Sequence, residues 1–272
     1  MNPALSGIVA ISFYLLGSYS QVRNLRNRTV ARQSDLVRLA LFALFFHGLF
    51  VYSVLWTESG IDLSFFNVAA LISFAISGAV LLASIREPVH NLYVFVFLIS
   101  VLAVSGCLVV NAIATGPSAT PRPVSPPLFV HIVASVIAYS ILTLAACQSI
   151  LVLTLERRIR NRVAIDVFHV LPPLETLEAM LFRFLWAGLG ILTISIATGF
   201  VFLSDKFSEH LSQHHTVLSV ASWIVYASLL TGHVKFGWRG VTTTRWSLMA
   251  FGLLALAYFG TKFVIEFLLQ RG

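Results

Sequence analysis

The chain has 272 residues, of which 58% are hydrophobic and only 11% are charged, and its formal net charge is +7. An ordinary soluble domain carries about 25% charged residues. A water-soluble core could not absorb so many apolar side chains. The composition therefore excludes a soluble globular protein and indicates a chain embedded in the lipid bilayer.

Eight apolar stretches follow one another along the chain, each close to the ~20 residues that a membrane-spanning helix needs. We therefore predict an all-α, polytopic membrane protein with about eight transmembrane helices. The first four helices (residues 1–114) and the last four (residues 128–272) should form one membrane domain, joined by the proline-rich link TGPSATPRPVSPP. The predicted spans are residues 3–20, 36–56, 64–85, 92–114, 128–155, 180–204, 216–234 and 246–269.

Arginine and lysine concentrate in alternate connections, and short connections rich in these residues stay in the cytoplasm. We therefore predict that connections 1, 3, 5 and 7 are cytoplasmic and that both termini lie on the outer, periplasmic side. Anionic lipid headgroups account for the positive charge, so nucleic acid is not an expected partner. The even connections hold only Arg122 and Lys206, whereas the odd ones hold Arg23, Arg26, Arg28, Arg32, Arg86, Arg157, Arg158, Arg160, Arg162, Lys235, Arg239 and Arg245.

Two of the connections have patterns of their own. In the fifth, Pro172 and Pro173 suit a helix start, and Glu175 and Glu178 would offset its dipole, so we predict a short interfacial helix at the cytoplasmic surface. The sixth, DKFSEHLSQHH over residues 205–215, holds three histidines and two acids. It fits either a solvated polar loop or a site for a metal or haem.

Three histidines fall inside predicted spans, where ionisable side chains are costly and therefore informative. His47 lies about nine residues, or roughly 13 Å, from the outer end of its helix. His131 lies in the first turn of its helix at the outer face, and His233 lies at the inner end of the seventh helix. Each could instead be a histidine that hydrogen-bonds a neighbouring helix and stabilises the bundle.

The predicted depths of these histidines limit which of them can share a ligand. His131 and His233 should be separated along the membrane normal by about 20 Å, most of the hydrocarbon thickness. Two axial ligands of one iron lie only about 4 Å apart, given metal–nitrogen bonds near 2 Å. The two histidines therefore cannot bind the same iron at once, and they require two sites or a ligand that migrates.

The sequence contains no pattern typical of an enzyme active site, since GxSxG, Walker-type and HExxH motifs are all missing. Cys107 and Cys147 fall inside spans and form no CxxC pair, so a thiol–disulfide role has no support. Lys262 and Glu266, four residues apart, are predicted to pair on their helix.

Several stretches together resemble the CcsA-type (HemX-like) cytochrome c assembly proteins, with the greatest likeness to YpjD-like inner membrane proteins. HIVASVIAYS begins at His131, HVKFGWRG begins at His233, and LLALAYFGTKFV follows. The segments PPLETLE, TGFVF and SVASWIVYASLLTGH occur in the order and spacing of that subfamily. The resemblance is specific over residues 128–264 and looser before them.

The resemblance implies that membrane histidines handle haem, of the b type, which is carried or presented for attachment to apocytochrome c on the outer side. By position, His131 resembles the family's outward-facing histidine, and His233 resembles the histidine at the cytoplasmic end of the penultimate helix. His47 is shared with YpjD-like proteins and is the third candidate ligand. The resemblance also implies a partner membrane subunit of cytochrome c biogenesis.

This chain departs from the CcsA pattern at two places. The tryptophan-rich WGxxWxWD loop is replaced by DKFSEHLSQHH, and the family's final outward histidine is missing. We therefore do not expect a full haem-lyase activity. Two alternatives stay open, namely a haem-free assembly or regulatory partner protein whose histidines bond between helices, and a small-molecule transporter with His47 near its pathway.

Overall fold

The computed structural model describes residues 3–26, 33–57, 60–113, 125–161, 171–203, 210–264 and 266. Nine α-helices account for most of these residues, together with one 3₁₀ turn, one π-helical turn and a two-stranded hairpin. The helices are α1 (Pro3–Arg26), α2 (Gln33–Leu55), α3 (Phe65–Ala83), α4 (Tyr93–Ile113), α5 (Pro126–Arg160), α6 (Leu174–Leu203), α7 (His210–Phe236), α8 (Val241–Ala255) and α9 (Thr261–Phe263).

Within the described part of the chain, eight segments are long and apolar enough to cross a membrane. The prediction of an all-α, polytopic protein with eight spans is therefore confirmed. The sidedness of the termini stays a prediction. The spans are Pro3–Asn24, Asp35–Leu55, Phe65–Ala83, His90–Ile113, Pro126–Arg160, Leu174–Val201, His215–Phe236 and Val241–Phe263.

The fifth connection differs from the prediction at both of its ends. Helix α5 has 35 residues and is therefore about 50 Å long, so its basic end extends beyond a hydrocarbon core of about 30 Å. The short interfacial helix predicted after Pro173 is wrong, because Leu174 begins the spanning helix α6 itself. Hydropathy predicts where α6 enters the hydrocarbon, at Met180, whereas the helical backbone begins almost two turns earlier, at Leu174.

The remaining irregular elements lie at helix ends. Strands β1 (Trp56–Thr57) and β2 (Gly60–Ile61) pair antiparallel between α2 and α3. A 3₁₀ turn, His90–Leu92, precedes α4, and a π-helical turn, Leu256–Gly260, joins α8 to α9. Single π-turns inserted into helices occur often at functional sites.

The chain divides into two compact units at Val124–Ser125, inside the proline-rich link. The first contains α1 to α4, and each helix packs against two others in the cyclic order α1–α2–α3–α4. The second contains α5 to α9 and repeats this arrangement with α5, α6, α7 and α8. The prediction that residues 1–272 form a single membrane domain stays a prediction.

Hydrogen bonds link each pair of neighbouring helices in the second unit, as expected where no water can satisfy polar side chains. The bonds are Gln148 Nε2 to the Leu177 carbonyl (2.9 Å), Trp223 Nε1 to Thr193 Oγ1 (2.8 Å), Ser222 Oγ to the Ala250 carbonyl (2.8 Å) and Ser149 Oγ to Ser247 Oγ (3.0 Å). They fix the rotation of each helix about its own axis, and with it the side chains that face inward.

The predicted sidedness can be tested with cysteine substitutions, because the two native cysteines, Cys107 and Cys147, are buried. We expect Trp56→Cys, in the second connection, to react with a membrane-impermeant maleimide in intact spheroplasts. Arg160→Cys, at the basic end of α5, should react only after permeabilisation, since basic connections stay inside. The reverse labelling pattern would show that the orientation is inverted.

Candidate functional site

His47 lies at the centre of the first unit, where one residue from each of the four helices joins a single hydrogen-bonded chain. Its Nδ1 lies 3.0 Å from the Tyr14 hydroxyl of α1, which donates to Ser77 Oγ of α3 at 3.1 Å. Ser77 Oγ lies 2.9 Å from Ser100 Oγ of α4. His47 and Tyr14 are both 0% exposed. The four residues thus form a buried polar bridge across the bundle.

Aromatic rings enclose the His47 imidazole on two sides. Tyr14 and Phe74 both approach it edge to face, with ring centroids at 5.7 and 5.6 Å. Because Tyr14 donates its single hydroxyl proton to Ser77, the Tyr14 oxygen accepts the hydrogen bond from His47 Nδ1–H. This environment is that of a histidine that connects helices.

His131 occupies the end of the second unit where α5 begins and α6 ends, which is the predicted outer end. Its Nδ1 lies 3.0 Å from the Ser195 carbonyl and 3.2 Å from Thr198 Oγ1. Gly199 allows this approach, since a Cβ there would lie 3.1 Å from His131 Cε1. The TGFVF motif therefore provides both the hydroxyl and the gap that receive the imidazole.

The carbonyl partner of His131 fixes which ring nitrogen carries the proton. A carbonyl oxygen can only accept a hydrogen bond, so Nδ1 must donate and Nε2 keeps its lone pair. Metal-binding histidines typically donate their other N–H to a backbone carbonyl in this way, which orients the ring and raises its basicity. The half-buried His131 is therefore oriented to offer the lone pair of its Nε2 to a metal ion.

His233 shows the same arrangement near the last turn of α7, at the predicted inner end. Its Nδ1 donates to the Trp238 carbonyl at 2.8 Å, again leaving the Nε2 lone pair free for a ligand. The ring stacks on Phe182 of α6, with a centroid distance of 3.5 Å and an interplanar angle of 21°. A hydrogen bond and a ring contact thus hold the half-buried imidazole in one orientation.

The HVKFGWRG motif places that carbonyl by reversing the chain directly after α7. Gly237 has a φ of +67°, a conformation that glycine adopts without strain. The Trp238 N–H then donates back to the Gly232 carbonyl at 3.3 Å, and the indole lies over Gly232, where a Cβ would overlap it. The glycines of the motif therefore serve the local fold that orients His233.

The structure places the three predicted residues in three separate surroundings. His47 belongs to the first unit, and His131 and His233 both belong to the second. His131 contacts Ser195 of α6 and His233 contacts Phe182, which are 13 residues or about 20 Å apart along that helix. Within the second unit, His131 and His233 are therefore not brought together around one metal ion.

Sequence reasoning missed several polar residues that surround these histidines. The spacing of Tyr14 and Glu178 along the chain does not reveal that Tyr14 meets His47 or that Glu178 bonds to the connection behind His233. In the predicted sixth connection, residues 210–215 belong to α7, and His215 is the one histidine there whose side chain the structure describes; its ring centroid lies 6.2 Å from that of Tyr258. No sequence spacing identifies these contacts, because each joins different helices.

Among the described residues, no group of three or more histidine, cysteine or acidic side chains could hold a metal ion. Two further sequence features can be compared with the structure. Lys262 Nζ and Glu266 Oε1 lie 3.0 Å apart, as predicted from their spacing. Cys107 and Cys147 are both buried and unpaired with each other.

Comparison with known proteins gives a family and several relatives. A family model described as "Cytochrome C assembly protein" matches residues 36–269. "Inner membrane protein YpjD" of Escherichia coli (strain K12) is 29% identical over 209 residues, which are 76% of each chain. "Cytochrome c biogenesis protein CcsA" of Synechococcus sp. is 25% identical over 91 residues, 33% of this chain and 26% of CcsA. No solved structure matches the chain significantly.

A third relative is a protein of Azospirillum brasilense whose name describes it as uncharacterized, 37% identical over 169 residues. The match covers 60% of this chain and 62% of that protein, so the chain spans less than two thirds of its length. Together with the eight apolar helices, these similarities identify a multi-pass inner membrane protein.

The buried bridge in the first unit gives a stability prediction. Tyr14→Phe removes the hydroxyl that joins His47 to Ser77, and interhelical hydrogen bonds of this kind contribute about 0.5–2 kcal/mol. We expect the free energy of unfolding in mixed detergent micelles to fall by that amount. Tyr19→Phe is the matched control, because Tyr19 lies on the same helix and is 68% exposed. Equal stabilities of the two variants would contradict a stabilising role for the bridge.

Proposed function

The chain belongs to the cytochrome c assembly protein family, and on this premise we propose that it binds haem, or passes it on, in cytochrome c biogenesis or haem supply. The haem is haem b, held through histidine rather than covalently. His131 and His233 are the proposed axial ligands. A membrane subunit of the same assembly pathway is the proposed partner.

One observation carries this proposal, namely that His131 and His233 both donate Nδ1–H to a backbone carbonyl. Fixed in this tautomer, each neutral imidazole offers its Nε2 lone pair, which is the form that binds iron. Two histidines at opposite ends of one unit share the arrangement. The residues present therefore fit a haem iron in their donor atom and in the orientation of that donor.

The distance between the two histidines supports two haem positions rather than one. About 20 Å of α6 separates their contacts, whereas two axial nitrogens on one iron are about 4 Å apart. We therefore propose one haem position at the predicted outer end, served by His131, and another at the predicted inner end, served by His233. Haem at either position is cargo, and the chain's part is to bind and orient it.

His47 is the third proposed ligand, and its surroundings favour a structural role over a ligand role. The side chain is fully enclosed, and the Tyr14–Ser77–Ser100 chain engages its Nδ1, while its Nε2 is buried without a partner. Binding of an iron there would require Tyr14 or Phe74 to move. We therefore expect His47 to contribute to stability more than to haem binding.

A second candidate function is that of a haem-free assembly or regulatory partner in the same family. The replacement of the tryptophan-rich loop by DKFSEHLSQHH favours it, because that loop is the part of CcsA-type proteins that would hold haem against an acceptor. In this case the carbonyl bonds of His131 and His233 would serve packing alone. Absorption spectroscopy distinguishes the two candidates.

We expect the detergent-purified protein from haem-replete cells to show a Soret band and sharp bands after reduction with dithionite. His131→Ala and His233→Ala should each lower the haem content, because each removes a proposed ligand of a separate haem position. His90→Ala is the matched control, since His90 is a half-buried histidine of the first unit that is not a proposed ligand.

A colourless wild-type protein that stays colourless when titrated with haemin would contradict haem binding and favour the haem-free partner. Haem content that falls equally in His90→Ala and in the two ligand variants would contradict the assignment of His131 and His233. Circular dichroism of each variant shows whether the helical fold is retained.

A further inference from the structure

The carbonyl that accepts the hydrogen bond from His233 lies in a connection that is anchored by a carboxylate of another helix. Trp238, whose carbonyl accepts from His233, lies in the short connection of residues 237–240 between α7 and α8. At the end of that connection, the backbone N–H of Gly240 donates to Glu178 Oε1 of α6 at 3.0 Å. Glu178 therefore fixes the connection two residues beyond the carbonyl that orients His233.

The same face of α6 controls the His233 ring from a second side. Phe182 lies four residues after Glu178, so the two side chains project from the same face of the helix. Phe182 stacks on the imidazole at 3.5 Å, while Glu178 holds the connection that carries its hydrogen-bond acceptor. Two side chains on one face of α6 thus fix the plane of the His233 ring and the position of the connection that carries its hydrogen-bond acceptor.

Gly240 lies between the carboxylate of Glu178 and a second carboxylate, that of Glu156. Its φ of +61° is strained for other residues, and a Cβ would lie 2.8 Å from Oε1 of Glu156 on α5. Two carboxylates therefore converge on this glycine from neighbouring helices.

We infer that Glu178 is a positioning residue for His233, acting as the hydrogen-bond acceptor that anchors Gly240 and thereby holds the Trp238 carbonyl against His233 Nδ1. The expected consequence is tighter binding of haem at the inner position, and this consequence rests on the proposed haem function. The carboxylate acts through the position of its oxygen, which accepts the hydrogen bond from Gly240.

Three substitutions separate the position of the oxygen from its charge. Glu178→Gln keeps an acceptor oxygen at the same reach without the charge, Glu178→Asp keeps the charge but shortens the reach by one methylene group, and Glu178→Ala removes both. Glu175→Gln is the matched control, since Glu175 is an exposed residue of the same helix turn. The glutamine and aspartate variants are conservative enough to test the inference if the alanine variant does not fold.

The first measurement uses haem-free protein labelled with ¹⁵N-histidine, in which the His233 ring signals are assigned by their loss in His233→Gln. We expect wild type, Glu178→Gln and Glu175→Gln to show a protonated Nδ1 and an unprotonated Nε2. Glu178→Asp and Glu178→Ala should show averaged tautomers. Wild-type signals in the aspartate and alanine variants would overturn the inference, and so would averaged signals in the glutamine variant.

The second measurement is a haemin titration in a His131→Ala background, which leaves the inner position. We expect Glu178→Asp and Glu178→Ala to bind about 10- to 100-fold more weakly, the usual effect of losing a group that orients a metal-binding histidine. Glu178→Gln should bind within about twofold of the parent protein. Unchanged affinity in all three variants would overturn the inference but leave the haem function standing.

Failure of the haem function itself would have a different signature. The parent protein would then bind no haemin at all, while the tautomer measurement, which needs no haem, would still report whether Glu178 holds the His233 ring. The two failures are therefore distinguishable within the same set of variants.

Discussion

The bilayer core contains no water, so every buried donor and acceptor of this chain must find its partner within the protein. The backbone meets this constraint by forming helices, and the polar side chains meet it by bonding to neighbouring helices. In the first unit, Tyr14, His47 Nδ1, Ser77 and Ser100 bond to one another across four helices, while the buried His47 Nε2 has no partner among the described residues. In the second unit, His131 and His233 each use a carbonyl of the helix or turn beside them. The tautomer of each of these two histidines follows directly from the constraint.

The same chemistry thus produces two kinds of histidine in one protein. His47 is enclosed, and its bonding serves the cohesion of its bundle. His131 and His233 are half-buried at the ends of theirs, and a carbonyl takes the Nδ1 proton while the Nε2 lone pair remains available. All three histidines bond through Nδ1, so what separates them is burial: the Nε2 of His47 is enclosed, whereas His131 and His233 are half-buried.

The motifs that mark the family resemblance describe local folds around these histidines. In HVKFGWRG, Gly237 turns the chain, and Gly232, directly before the motif, makes room for the Trp238 ring, so that a carbonyl returns to His233. In TGFVF, Thr198 contributes a hydroxyl and Gly199 the space for His131. PPLETLE begins α6 and brings Glu178 to Gly240. In this chain, the stretches that carry the family resemblance therefore supply the contacts that hold the His131 and His233 imidazoles in place.

The sequence by itself determined the eight spans and the place of each histidine along its helix, because hydropathy and helical rise are local properties of the chain. It also predicted a separation of about 20 Å between His131 and His233, because they lie at opposite ends of spanning helices and the hydrocarbon thickness sets that distance. Only the tertiary structure decided that α6 begins at Leu174, that Tyr14 meets His47, and that Glu178 holds the turn behind His233. Those facts depend on which helices pack together and how each is rotated, and no spacing within one helix carries that information.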